Sequence, residues 1–381
     1  MPTTSLSFPT SIDFGAGALA RLPDHVRRLG TRAFVVTDPG MVSLPVYDAL
    51  AKVLDDAGIP WSMSSAISPN PVATECEEAG SVLRASGADV VIGFGGGSAI
   101  DGAKGVALMA THSGNIVDYD DALGGYERIR DDVAPIIAIP TTAGTGSEVG
   151  RSTVVVDPET NRKVVIFSPH IMPQVALIDP ELMMGMPRWL TAATGFDALT
   201  HNLEALTATG YHPPADGIAL EGVALALEHL QTACDSPTDL PAREAMAMSA
   251  MMGATAFQKG LGAAHSLAHP LGTLAHVHHG LANAIVLPYV VAFNRSAAED
   301  AYALVERRCS LTKSLGQTLI DLKASLGIPE TLSDAGVDRG LLEALSDQAI
   351  LDGCHASNPR PCTREDLRQL YIDAFDGHAK A

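Results

Sequence analysis

The texture of this chain changes once, near Pro187, and that change constrains what it can fold into. Before it, short β-branched runs alternate with helical stretches: RAFVVTD at 32–38, ADVVIGFG at 88–95, PIIAIPTT at 135–142, then STVVVD, KVVIFS and VALIDP. Such alternation builds a mostly parallel sheet covered by helices, because parallel neighbours need a crossover and a helix supplies it. After it, strand-like runs nearly vanish, and Ala, Leu and Met recur at helical spacing in GIALEGVALALEHL and REAMAMSAMMGATAF. The expectation is an α/β domain over residues 1–187 and an all-α domain over 188–381, joined where GMPRWL carries the Gly and Pro of a connection. With 381 residues, 46% of them hydrophobic and 18% charged, the chain is long enough for two cores.

A formal net charge of -19, without any run of Lys and Arg, excludes a nucleic-acid-binding role, since phosphate contacts require clustered cations. Small-molecule partners are expected instead. The five cysteines are odd in number, scattered and free of any Cys-x-x-Cys pair, which describes neither a disulfide scaffold nor a thiolate metal site and suits a reducing cytoplasm. The start, MPTTSLSFPTSIDFG, lacks the basic-then-apolar pattern of an export signal, and the longest apolar stretch is broken by Asn283 and Pro288, so membrane insertion is not expected.

Within the helical half, Asp197 and His201 stand four residues apart in TGFDALTHNLEAL, and His265 and His279 follow in GAAHSLAHPLGTLAHVHHG. An i,i+4 pair projects from one helix face about 5–6 Å apart, close enough to grip one ion. One carboxylate among three imidazoles suits iron, zinc, nickel or cobalt. Zinc with four protein ligands is usually tetrahedral and closed, whereas ferrous iron accepts five or six ligands and keeps positions open, which ranks Fe2+ first and Zn2+ second.

The α/β half carries nucleotide signals. VVIGFGGGSAIDGAKG reads as a strand, a turn at Gly95, Gly96 and Gly97, and a helix opening at Ser98. Backbone N–H groups in such a turn and the helix dipole attract a pyrophosphate, although Gly93-x-Gly95-x-x-Ser98 narrowly misses the usual fingerprint, and a tight strand-to-helix turn is the plain alternative. A second polar turn, PTTAGTGSEV, supplies Thr141, Thr142, Thr145 and Ser147, and open α/β sheets bind ligands just beyond such strand ends. Asp38, closing RAFVVTD, is placed to accept from an adenosine ribose and to repel a 2′-phosphate, favouring NAD, or else simply forms a turn before Pro39-Gly40. Because this acid precedes the glycine turn, the domain is Rossmann-like but not a standard Rossmann unit. With metal and nucleotide signals on different domains, a reaction belongs in the cleft between them.

Taken together, GGGSAID, PTTAGTGSEV, the Asp197/His201 pair, GAAHSLAHPLG, HHGLANAIVLP and the carboxy-terminal DGCHASNPRPCTREDLRQLYIDAF resemble the iron-containing (group III) alcohol dehydrogenases, essentially end to end. The resemblance implies a dinucleotide-binding α/β domain followed by an all-α metal-binding domain, in a dehydroquinate synthase-like architecture. It implies metal ligation by Asp197, His201, His265 and His279, a non-ligand active-site histidine at His269, and a homodimer. It further implies NAD contacts from Asp38, Asn70, Gly96, Gly97, Ser98, Thr141, Thr142, Lys163, Leu182 and Gly185. The chain departs from many relatives at Gly150 and Ser152, where they carry Thr and an aromatic residue that shape the nicotinamide pocket, and at Lys259, where several are apolar. Lys259 would pair with an acidic substrate group if it faces the cleft.

The implied reaction is hydride exchange between NAD and a primary alcohol or aldehyde, the substrate optionally bearing an acidic group. His269, one turn past His265, either passes the proton to water or fills a helical interface. Cys354 either borders the pocket or is a buried structural thiol. The competing readings are a metal- and NAD-dependent cyclase or lyase of the dehydroquinate synthase type, with no net redox change, and a helical binding protein with a structural metal.

Overall fold

The computed structural model describes residues 7–8, 11–160 and 162–377. They form two compact units, one comprising Phe8–Thr142 and Gly146–Met183, the other Ser7, Ala143–Thr145 and residues 184–377 among those described.

In the first unit, strands β1 (Ser11–Phe14), β2 (Ala33–Val36), β3 (Trp61–Ser64), β4 (Val90–Gly95), β5 (Ile136–Pro140) and β8 (Val175–Ile178) make a sheet of order β1-β8-β5-β4-β2-β3. All its pairings are parallel, as the alternating texture implies. The crossovers use helices α1 (Leu22–Leu29), α2 (Pro45–Asp56), α3 (Ala73–Ser86) and α4 (Gly97–Thr111). Successive side chains of β2 alternate between two cores. Phe34 and Val36 join Val91, Val106 and Ile136 on one face, and Ala33 and Val35 join Ile92, Leu50 and Val175 on the other. A strand buried on both faces must be apolar throughout, which is why AFVV and VVIGFG lack polar alternation.

Two of the runs expected in the parallel sheet lie elsewhere. β6 (Ser152–Asp157) and β7 (Arg162–Phe167) pair antiparallel with each other as a separate two-stranded sheet. The reason is local: Asp157 accepts from the Glu159 N–H and the Thr160 hydroxyl, tightening a turn too short for a crossover helix.

The second unit is helical throughout its described residues: α5 (Arg188–Thr207), α6 (Pro213–Asp235), α7 (Leu240–Ala256), α8 (Ala263–Leu274), α9 (His279–Asn294), α10 (Glu299–Arg308), α11 (Leu315–Ser325), α12 (Leu342–Leu351) and α13 (Arg364–Asp376). Helix α5 is its axis, buried without interruption from Thr191 to Leu206 and packed by α6, α7 and α9. A helix buried on every side is normally apolar all round. Here Asp197, Thr200, His201, Asn202 and Glu204 break that rule, and each needs a partner or a ligand. The segment Ala143–Thr145 groups with this unit, where a Cβ on Gly144 would sit 2.7 Å from the Thr194 Cβ. No helix among the described residues is long and apolar enough to cross a membrane.

Candidate active site

Helix α5 carries Asp197 and His201 on one face, α8 brings His265 and α9 opens with His279. Their ligand atoms all lie within 4.8 Å of one another, and all but the half-buried His279 are buried. His265 Nε2 and His279 Nε2 lie 3.9 Å and 3.4 Å from the same atom, Asp197 Oδ1. Ligand bonds of about 2.1 Å to one divalent ion put neighbouring donors roughly 3–4 Å apart, so the spacing fits such an ion. The approach of α9 depends on Gly280. A Cβ there would fall 2.2 Å from the Ala193 carbonyl oxygen, so the HHG sequence sets how closely His279 approaches α5.

Electrostatics point the same way. Burial alone would raise the Asp197 carboxyl, but His201, His279, His265 and the Asn283 amide outweigh it and hold it at about 2. Burial drives His201 down to about 4, Asp197 only partly opposing it. Both groups thus favour the forms that bind cations, a carboxylate and a neutral imidazole.

Side chains not singled out in the sequence hold these candidate ligands in place. Glu204, three residues after His201, accepts from His265 Nδ1 at 2.6 Å and from the N–H groups of Gly262 and Ala264 at 3.0 and 2.6 Å. This turns Nε2 towards Asp197 as a lone-pair donor and strengthens it, since burial lowers the affinity of His265 for a proton but Glu204, joined by Asp197 and Asp352, more than restores it. Asn283, one turn after His279, donates to Asp197 Oδ1 at 2.8 Å. Both were findable, because each is one helical turn from a ligand.

His269 lies outside the quartet, stacked on His279 with ring centroids 5.3 Å apart and planes 14° from parallel. Its Nδ1 is 2.7 Å from Asp352 Oδ2. Two substrate candidates change meaning. The Lys259 ammonium, with a side chain only 5% exposed, donates to the Leu206 carbonyl at 2.9 Å and to Asp216, so it caps the end of α5 and holds α6 instead of awaiting an acid. Cys354 is a free thiol beside Asp352, and burial with that neighbouring charge pushes its pKa well up, so it stays a thiol and not a nucleophile.

In the α/β unit, three adjacent parallel strands deliver the nucleotide candidates together. Asp38 follows β2, Gly96, Gly97 and Ser98 follow β4, and Thr141 and Thr142 follow β5. The loops are tied by Thr37 Oγ1 donating to the Phe94 carbonyl at 2.7 Å and by the Thr141 N–H donating to the Gly95 carbonyl at 2.9 Å. Helix α4 begins at Gly97, one residue earlier than the sequence implied, with Gly96 as its cap. Gly95 has φ +143, and a Cβ would meet that of Ala99 at 2.8 Å, so only glycine lets the helix start so close to the strand. Ser98 donates to the Pro69 carbonyl at 2.5 Å, drawing the loop that carries the exposed Asn70 to the same end. Asp38 also caps its own turn, accepting from the Met41 N–H at 3.0 Å.

Ser152 and Lys163 sit on the β6-β7 hairpin. Burial lowers the Lys163 pKa, and Asp101 partly restores it. The buried Lys104 donates at 2.7 Å to both Ser147 Oγ and the Ser152 carbonyl and lies 3.4 Å from Asp101, joining α4, the threonine loop and the hairpin. The sequence reading missed this node; the signal is the i,i+3 pair Asp101 and Lys104 in SAIDGAKG. Leu182 is 7% exposed and packs with Leu19 and Leu177. Gly185 is exposed and belongs to the helical unit.

Comparison with known proteins agrees with both halves. Residues 9–180 match the family model described as iron-containing alcohol dehydrogenase, and residues 191–375 match that of the Fe-containing alcohol dehydrogenase family, C-terminal. The chain is 38% identical over 373 residues to 4-hydroxybutyrate dehydrogenase of Cupriavidus necator, covering 95% of this chain and 97% of that one. It is 36% identical over 377 residues to lactaldehyde reductase of Escherichia coli K12, covering 95% and 97% respectively. The crystal structure of a 1,3-propanediol oxidoreductase superposes with a TM-score of 0.93 at 33% identity, over 98% of this chain and 100% of that one.

Proposed function

Because the chain belongs to the iron-containing alcohol dehydrogenase family, and so is an oxidoreductase of alcohol dehydrogenase type, we propose that it moves a hydride between a primary alcohol and NAD. Asp197, His201, His265 and His279 would hold Fe2+, with Zn2+ the second choice. The observation that carries this reading is the convergence of one carboxylate and three imidazoles within 4.8 Å, in a buried setting that suppresses the protonated forms of Asp197 and His201. When bound, the cation supplies Lewis acidity, which lowers the pKa of an alcohol hydroxyl and polarises an aldehyde carbonyl.

The chain's own residues do the rest. Gly96, Gly97 and Ser98 offer helix-terminal N–H groups to the pyrophosphate, Thr141 and Thr142 offer hydroxyls, and Asp38 accepts from the adenosine ribose. Lys163 is assigned to the nicotinamide ribose, with Ser152, Asn70, Leu182 and Gly185 completing the cofactor's contacts. Glu204 orients His265, and His269 carries the alcohol proton away. The substrate is a small primary alcohol or aldehyde. A 4-hydroxy acid belongs in the test panel because of the 4-hydroxybutyrate-oxidising relative, although Lys259 is not the group that would recognise its carboxylate. The assembly is taken to be a cytoplasmic homodimer.

The test is an anaerobic screen of Fe2+-loaded protein with alcohols and aldehydes, including 4-hydroxybutyrate, 1,3-propanediol and lactaldehyde, against NAD(H) and NADP(H), followed at 340 nm. Turnover with NAD, lost on chelation and regained with Fe2+, is the expected result. Tight metal and NAD binding with no change at 340 nm across the panel would instead favour the non-redox cyclase.

A further inference from the structure

Asp352 comes from the far end of the chain, 83 residues from His269, yet its carboxylate meets three groups beside the residues assigned to the metal. Its Oδ1 accepts from Ser266 Oγ at 2.8 Å and from the Cys354 N–H at 2.9 Å, while Oδ2 meets His269 Nδ1 at 2.7 Å. Ser266 is itself held by the His355 N–H at 2.9 Å. Asp352, His269 and Cys354 sit close enough to suggest a second metal site, but a carboxylate committed to this many donors makes a hydrogen-bond cluster instead. The plain structural role is a helix cap, since Asp352 precedes the short helix Gly353–Ser357 and caps it through the Cys354 N–H. Capping needs only Oδ1. The contact of Oδ2 with a partly exposed imidazole is additional, and a carboxylate facing Nδ1 fixes the proton there and leaves Nε2, on the far edge of the ring, as an acceptor.

We propose that Asp352 is a positioning residue for the dehydrogenase reaction: it locks His269 in the Nδ1–H tautomer, stacked on His279, so that Nε2 is always ready to accept the substrate's proton. This rests on the dehydrogenase reading for its kinetic consequence but not for its structural one. Carboxylate–imidazole couples of this type serve general bases in which the acid orients the ring without taking the proton.

Asp352→Asn separates the roles. Asparagine caps as well as aspartate. Its amide oxygen must stay where Ser266 and Cys354 donate, so its NH2 faces His269 and forces the Nε2–H tautomer, which cannot accept. The expected result is a fall in kcat of about 10²-fold, with KM, metal content and melting temperature unchanged and an increased solvent isotope effect. His269→Ala should fall equally, and the double variant no further. Histidine-selective ¹⁵N NMR of Zn2+-loaded protein reads the tautomer directly, with His269 assigned by its loss in His269→Ala. It should switch from Nδ1–H to Nε2–H in Asp352→Asn. Wild-type kcat in Asp352→Asn, multiplying losses in the double variant, or an Nε2–H tautomer in wild type would each overturn the proposal. If the wild type oxidises no alcohol, the function assignment fails, and the NMR result still decides whether Asp352 sets the ring.

Discussion

In the α/β unit, the buried Lys104 is answered by Asp101, by Ser147 and by the Ser152 carbonyl, so the charge is met by neighbouring side chains and backbone. In the helical unit, Asp197 is faced by three imidazoles and one amide, and its nearest imidazole nitrogens contribute lone pairs as readily as protons. The first arrangement is a strut. It fastens two loops and a hairpin, and asks nothing of a ligand. The second is a concentration of donor atoms whose chemistry suits a cation better than it suits its own members. Lys104 and Asp197 are buried alike, at 1% and 2% exposure, so burial does not distinguish a support from a reaction centre; the balance of donors and acceptors does.

The largest effect expected from breaking this contrast is at His265. Its replacement by Ala should leave metal content near zero and cut dehydrogenase activity by about 10³-fold or more, checked by metal analysis and the 340 nm assay. Next comes the strut. Lys104→Met removes the cation in contact with Asp101, and chemical denaturation should show a loss of roughly 3 kcal/mol, the low end for a broken buried pair because Ser147 and the Val154 N–H still donate to Asp101. Metal affinity should not change there. Glu204→Gln sharpens the comparison by weakening the ligand shell without removing a ligand. A 10- to 100-fold weaker metal affinity is expected, read by competition with a chelator.

The smallest effect is a pH dependence. Glu148 is buried in the α/β unit, and desolvation pushes its carboxyl up to about 7, Lys104 only partly opposing. A carboxyl whose folded pKa is raised favours folding in its protonated form. Its contribution is therefore complete below the ordinary value of about 4.5 and is lost as pH rises through about 7. Unfolding free energies from urea titrations at pH 5 and pH 8 should differ more in wild type than in Glu148→Gln, by on the order of 1 kcal/mol.

Much of the architecture was legible, because a strand buried on both faces has no choice but to be apolar, and a strand-helix alternation has little choice but to be parallel. The β6-β7 hairpin was misplaced in the parallel sheet. Its valines look like those of β4, and the evidence against a crossover lay in the short Asp-Pro-Glu-Thr turn between the two runs. At the site, Asp197 and His201 announce themselves by helical spacing, and Glu204 follows from the same period. Asp352 has no such signal, because only tertiary folding brings it to His269. Lys259 shows the opposite failure: a lysine where several relatives are apolar looks available until the carbonyl and carboxylate that consume it are seen.

The attachment of Ala143–Thr145 to the helical unit has a consequence for how this architecture can be inherited. Gly144 lies against Thr194, one turn ahead of Asp197, so part of the wall behind the helix that carries Asp197 and His201 is encoded within the α/β half of the chain. Neither half is a self-contained cassette. Recombination at the apparent border near residue 184 would hand over helix α5 without Gly144, which packs against it, so the halves are expected to be exchanged together.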